Sequence, residues 1–401
     1  MRFNARNTSS AHSLTPFFAI LFALLTPPVA AQGPAPVTRN IVLVMTDGLR
    51  WQEVFRGPDE SLLTKEHGVE NAYQLKKDFC RDTPEASREA LLPFLWSSVA
   101  ARGQIFGNRD RGSDCHVTND QWFSYPGYNE TFCGFADPRI DSNKKIPNPN
   151  TTVFEWLNTR PEYRGRVAGF GAWDVFPFIV NADRAGFLVD DSIQPITAGT
   201  LTPGIELINK LRAETPRRWA GGHFDALMFN AAAQWTAANQ PRILFVLFGE
   251  TDEWAHEGDY DHYLRAAHRA DAFTRELWEL LQSIPQYRGA TSLVITTDHG
   301  RGDNSAGPKD WNNHGAKHPG SDQMWLAVIG PDTPPLGERR DCPPVTQSQA
   351  AATLAALLGE SWQTAEPRAA GPIADVLHPN SPLRAPAARP SADPVPPVPP
   401  R

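Results

Sequence analysis

Asn40-Ile41-Val42-Leu43-Val44-Met45-Thr46, followed at once by Asp47-Gly48, is the stretch on which the reading of the fold turns. A continuous apolar and β-branched run with no polar alternation is the pattern of a strand buried on both faces, and such strands belong to parallel sheets covered by helices. Four further runs share this character, at residues 166–170, 243–248, 292–296 and 324–329. Between them, helical patterns cover residues 86–101, 152–157, 204–211, 224–238, 260–283 and 347–358. Strands alternating with helices predict an α/β fold, a mostly parallel central sheet sandwiched between helices. Ligands of such sheets gather beyond the carboxyl ends of the strands, so polar residues just past each run are the ones to examine.

The chain has 401 residues, 41% of them hydrophobic, which is enough for one large core, expected over residues 38–360. A net charge of -7 disfavours the broad basic surface needed for a nucleic-acid duplex. At the start, Arg2 and Arg6 precede an apolar run at 17–25 and then Val29-Ala30-Ala31, the layout of a signal peptide over 1–31. That run is too short to span a bilayer comfortably, so the expectation is a periplasmic or secreted protein with no stable membrane anchor after cleavage. Cys80, Cys115, Cys133 and Cys342 suit an oxidising compartment and allow three disulfide pairings, among them Cys115 with Cys133, each nine residues from Ser124. Residues 386–401 form a Pro-rich tail, expected to be disordered or extended.

Three of the expected strands run into acidic or acidic-histidine clusters: Asp47-Gly48, then Glu250-Thr251-Asp252 with His256, then Asp298-His299-Gly300. A carboxylate just past a buried strand is costly to desolvate unless compensated, and a divalent cation is the usual partner when histidines join it. Asp252 and His256 are one helical turn apart and would share a face. Downstream, His314 supplies another imidazole, with His318 as its rival. Asp47, Asp252, His256, Asp298, His299 and His314 are enough for two divalent metal ions with positions left open. Mixed nitrogen and oxygen donors favour zinc or manganese. Singly, each residue has a plainer reading as a cap, turn former or surface group; it is their recurrence at strand ends that favours a metal site.

A nucleophile is expected in Ser124-Tyr125-Pro126-Gly127-Tyr128-Asn129-Glu130, because Pro126 suits a helix first turn and would set the Ser124 hydroxyl at the positive end of that helix. Here the residues carry a resemblance. Residues 41–55, IVLVMTDGLRWQEVF, resemble the opening strand and first metal aspartate of the type I phosphodiesterases and nucleotide pyrophosphatases, a branch of the alkaline phosphatase superfamily. SYPGYNE from Ser124 is similar to that branch's nucleophile turn, GETDEWAHEGD to its Asp-x-x-x-His element, TTDHGRG to its Asp-His-Gly element and NNHG to its last histidine ligand. The resemblance implies one metal on Asp47, Asp298 and His299 beside Ser124, and a second on Asp252, His256 and His314. For the family's phosphate-binding asparagine it offers Asn129, Asn148 and Asn150, and Gly127 stands where asparagine is common.

The function expected is metal-dependent hydrolysis of a small phosphorylated substrate, a mono- or diester, through Ser124. Arg50 and Lys309 are candidate substrate helpers, although such cations are more often ordinary surface groups. Two other classes compete: a catalytically silent metal-binding protein on the same fold, and a sulfatase or mutase-like member of the superfamily. None of the cysteines lies in the Cys-x-Pro-x-Arg context of a sulfatase, and an exported protein meets few intracellular sugar phosphates. Trp122, Trp173, Trp254 and Trp311 lie near the motifs, either as walls for an organic group or as core.

Overall fold

The computed structural model describes residues 36–384. The expected signal segment at 1–31 and the tail at 386–401 lie outside the described residues. In chain order the strands are β1 (Asn40–Thr46), β2 (Gln104–Phe106), β3 (Cys115–His116), β4 (Val167–Gly171), β5 (Leu188–Asp190), β6 (Ile243–Phe248), β7 (Thr291–Thr297), β8 (Leu326–Ile329), β9 (Gly337–Glu338) and β10 (Val345–Thr346). Eight of them form one sheet in the order β5-β4-β6-β1-β7-β8-β2-β9, while β3 and β10 pair separately. Within the large sheet, β8 pairs antiparallel with both its neighbours, and the other pairings are parallel.

The apolar run that opened the sequence reading is buried at all seven positions, and the pleat explains why. Val42 and Val44 pack into the core on one face of the sheet, while Ile41, Leu43 and Met45 pack into the core on the other. Phe245 of β6 anchors the second core. Its ring stacks on Phe154 with centroids 4.2 Å apart and meets Phe132, Phe176 and Phe187 edge-on or tilted. The neighbouring strand makes room for it with Gly169, whose missing side chain would overlap the ring.

Some elements differ from expectation. The helix expected over 86–101 is two elements, Pro84–Leu91 and a π-helical turn Leu95–Ala100. Pro93 lies at the break, where it cannot donate to the ladder. The N–H groups of Phe94 and Leu95 are taken instead by the Asp271 carboxylate, at 2.8 Å each. The packed body runs beyond residue 360, since Trp362, Ile373, Val376 and Leu377 are buried. All four cysteines are free thiols. Cys115 lies in β3 opposite Val345 and Cys133 ends the helix Ser124–Cys133, so packing rather than a sulfur bridge braces that helix. Among the described residues no helix is long and apolar enough to cross a membrane.

Phe245→Ala should destabilise the protein by about 3–5 kcal/mol through lost burial and the cavity left between four rings. Denaturant unfolding should show a lower midpoint with an unchanged slope.

Candidate metal centre

Strand register decides which side chains meet. Thr46 at the end of β1 is level with Phe248 of β6 and Thr297 of β7, so Asp47 and Asp298 leave adjacent strands side by side. After β6 the chain passes through Gly249 directly into the helix Glu250–His256. That helix starts where it does because the Asp225 carboxylate accepts the N–H groups of Gly249 and Glu250, at 2.8 and 3.1 Å. The Thr251 hydroxyl donates to the Asp47 carbonyl at 2.5 Å and ties this helix to the end of β1. One turn then carries Asp252 and His256 to the same face.

Ser124, Asp47, Asp298 and His299 are all buried. The Ser124 Oγ lies 3.4 Å from Asp47 Oδ1 and 3.3 Å from His299 Nε2. The same Nε2 is 3.2 Å from Asp47 Oδ1 and 3.4 Å from Asp298 Oδ2. His299 Nδ1 faces the Gly300 carbonyl at 2.7 Å, an acceptor only, so Nδ1 carries a proton and Nε2 is the nitrogen that can give one up to bind a cation. Asp298 is anchored through Oδ1 by the Gly48 N–H at 3.0 Å, and its buried Oδ2 has no hydrogen-bond partner. Burial and the adjacent Asp47 push the Asp298 carboxyl well above the usual range. His299 is held up to about 9 although burial opposes it, because Asp298 and Asp47 favour its charged form. An orphaned carboxylate oxygen aimed at an imidazole nitrogen and a second carboxylate fits a divalent cation, which would take the place of the imidazole proton.

A second group adjoins the first. His256 Nε2 lies 3.2 Å from Asp252 Oδ2, His314 Nε2 lies 3.5 Å from Asp252 Oδ1, and the two Nε2 atoms are 3.0 Å apart. The His299 and His314 rings are 4.1 Å apart by centroid, so the two groups are contiguous. Asp47 with Asp298 and His299, and Asp252 with His299 and His314, each offer three donor atoms within 4.8 Å of one another. A cavity of about 290 Å³ opens over both groups, walled by Trp173, Phe176 and Leu247 and also lined by Ser124, Tyr128, Asn143 and Glu253.

No family model matches the sequence, and no curated protein matches it. Solved structures do. The alkaline phosphatase PafA superposes with a TM-score of 0.52 over 86% of this chain and 99% of its own, at 12% identity. The lipoteichoic acid synthase LtaP of Listeria monocytogenes gives 0.52 over 82% and 74%, at 11% identity. A provisionally assigned sulfatase of Bacteroides thetaiotaomicron gives 0.50 over 81% and 71%, at 13% identity. The chain has an alkaline-phosphatase-like fold.

On this alkaline-phosphatase-like sheet the six expected ligand residues and Ser124 come together, and His314 rather than His318 joins Asp252. His318 is held away by Asp310, at 2.5 Å. Three expected substrate-binding residues stand elsewhere. Asn129 donates to the Phe135 carbonyl and accepts from Asn148 and Asn150, all inside the core. Asn150 also donates to Asp137 at 2.7 Å. Arg50 is fully buried against Glu53, which holds its guanidinium charged, and none of the three lines the cavity. Lys309 is an exposed partner of Glu66 at 3.9 Å.

The helix begins at Ser124 itself, not after it, with Phe123 as the preceding cap residue and Pro126 third. Pro126 has no N–H and that of Tyr125 goes to Asn143 Oδ1 at 3.0 Å, so the Ser124 N–H is the free donor of the first three positions. Sequence reasoning passed over Tyr128, which donates to Asp47 Oδ2 at 2.9 Å and stands one turn after Ser124. It also missed Asn143, a loop residue with no local pattern, and Arg301, a buried cation directly after Asp-His-Gly. Of the tryptophans, Trp173 walls the cavity, whereas Trp254 and Trp311 are buried and donate to Glu250 and His67.

Gly127 shows how closely the Ser124 helix must approach β7. A side chain there would collide with the carbonyl of Asp298. Gly127→Ala should therefore cost about 1–3 kcal/mol of stability and, by moving Ser124 from Asp47 and His299, lower any turnover by a larger factor than that destabilisation explains. Thermal unfolding and initial rates on the same preparation separate the two effects.

Proposed function

We propose that this chain hydrolyses phosphate esters at a two-metal centre, with Ser124 as the nucleophile. One observation carries the reading: Ser124 Oγ, Asp47 Oδ1, Asp298 Oδ2 and His299 Nε2 converge on one point. A serine-histidine-aspartate relay needs its carboxylate on the imidazole nitrogen opposite the serine. Here that nitrogen meets a backbone carbonyl, and both carboxylates crowd the serine side. Convergence of that kind suits a cation, not a relay.

Asp47, Asp298 and His299 would hold one divalent ion, zinc or manganese by donor type, and Asp252, His256 and His314 the other. Two such ions would offset the clustered carboxylates, lower the pKa of the Ser124 hydroxyl and stabilise charge building on the phosphoryl oxygens. The chain's own residues do the rest. Tyr128 fixes Asp47 through Oδ2 and leaves Oδ1 facing Ser124. The Ser124 N–H and the Asn143 amide, whose oxygen is already engaged, are donors for phosphoryl oxygens. Trp173, Phe176 and Leu247 form an apolar wall for the organic group of the ester. Ser124 Oγ bonds to phosphorus as the ester oxygen departs, and water then cleaves the phosphoserine and restores the hydroxyl. With the signal segment expected at 1–31, the setting proposed is periplasmic or extracellular.

A sulfate ester is the second reading, favoured by the fold shared with the Bacteroides protein. Ser124-Tyr125-Pro126-Gly127-Tyr128 places tyrosine where the aldehyde-forming sulfatase pattern has arginine, and Tyr128 is committed to Asp47.

Aryl phosphate, aryl phosphodiester and aryl sulfate, assayed in parallel with and without chelator, test the reading. We expect turnover of a phosphate ester that chelator abolishes and zinc or manganese restores. Ser124→Ala should lose on the order of a thousandfold or more in kcat while retaining its metals. Near wild-type rates in that variant would make a directly attacking water the better mechanism. Turnover of the sulfate alone would establish the second reading.

A further inference from the structure

Arg301 is fully buried at the centre. Its Nη1 donates to Asp252 Oδ1, its Nη2 to the Asn312 carbonyl, and its Nε to the Trp311 carbonyl at 2.9 Å. Nη2 also lies 3.4 Å from His256 Nδ1. Space for the guanidinium is built in: Gly48 sits at φ +60°, and a side chain there would stand 2.7 Å from Nη1. The group is thus wired between the helix bearing Asp252 and the loop leading to His314. Unlike a histidine or lysine, it carries its charge at every working pH.

The two ligand groups therefore differ in charge. Asp47, Asp298 and His299 present two carboxylates, whose partners are Tyr128, Ser124, the Gly48 N–H and His299, with no arginine or lysine among them. Asp252, His256 and His314 present one carboxylate, and Arg301 already balances it. With Oδ1 on the guanidinium, Asp252 keeps Oδ2, on the His256 side, for a ligand bond.

We infer that Arg301 makes the two metal positions unequal, so that the Asp47/Asp298/His299 position fills first and the Asp252/His256/His314 position fills second with a one-oxygen aspartate ligand. This rests on the two-metal reading above. A fixed unit charge a few ångströms from a divalent ion, even at a strongly screened effective dielectric, is worth at least about tenfold in affinity.

The test is metal binding, not turnover. Full-length mature protein, stripped by chelator, is titrated with zinc against a chromophoric competitor. Two steps at least tenfold apart are expected, with only the weaker lost in His256→Ala, a half-exposed position that leaves the core untouched. Arg301→Gln should tighten the weaker step towards the stronger, and Arg301→Lys should keep them apart. Two equal steps in the wild type, or loss of the stronger step in His256→Ala, would overturn the inference and leave two metals in place. A weaker second step in Arg301→Gln would overturn it as well, because Arg301 would then be supporting that position. No zinc uptake at all would instead overturn the two-metal reading. If Arg301→Gln does not fold, the wild type and His256→Ala alone decide the order of filling.

Discussion

Like charges held close together are the constraint that the rest of this structure accommodates. Asp47, Asp298 and Asp252 stand at the ends of adjacent elements, mostly out of water, where carboxylates repel one another and lose hydration. Nothing in the local chain favours this. It persists because β1 is locked between β6 and β7 by full parallel ladders, because Arg301 balances Asp252, and because a backbone donor and a hydroxyl orient Asp298 and Asp47. Those donors are the Gly48 N–H on Asp298 and the Tyr128 hydroxyl on Asp47, while the Thr251 hydroxyl holds the Asp47 main chain.

The surrounding sequence follows from the same constraint. A helix carrying Ser124 can reach the carboxylates only where its backbone touches that of β7, hence Gly127. A guanidinium can enter only where a neighbour lacks a side chain, hence Gly48. Asp225 and Glu250 each accept backbone N–H groups from the other's helix start, which sets the angle at which Asp252 and His256 enter the site.

Legibility in the sequence followed burial. β1 and β6 begin and end where their apolar runs do, because strands buried on both faces leave no polar position to blur the pattern. The strand-end acids and histidines were legible for the same reason, as breaks in an apolar run. Where several solutions share one pattern, the reading ran out. Pro93 divides what periodicity alone reads as one helix. Arg50 looks available until Glu53, three residues on, is seen to hold it. Asn129 lies five residues after Ser124 and so on another side of that helix, whereas Tyr128, at four, falls on the same side. Asn143 reaches the cavity from a loop, where spacing carries no information.

The site has a further consequence for how the chain comes to be folded. Thr297 hydrogen-bonds to Thr46 across 251 residues, and Thr251 to Asp47 across 204. The central strand is therefore synthesised more than 190 residues ahead of both its neighbours and cannot pair with either until they follow. Topologies dominated by such distant pairings fold slowly, and their unpaired edges stay open to other chains meanwhile. Until β7 arrives, Asp47 has no Asp298 and no His299 beside it, so an early metal ion meets isolated acids rather than a chelating cluster. On the two-metal reading, metal capture would come at the end of folding, as a lock on a finished sheet, rather than as the template that starts it.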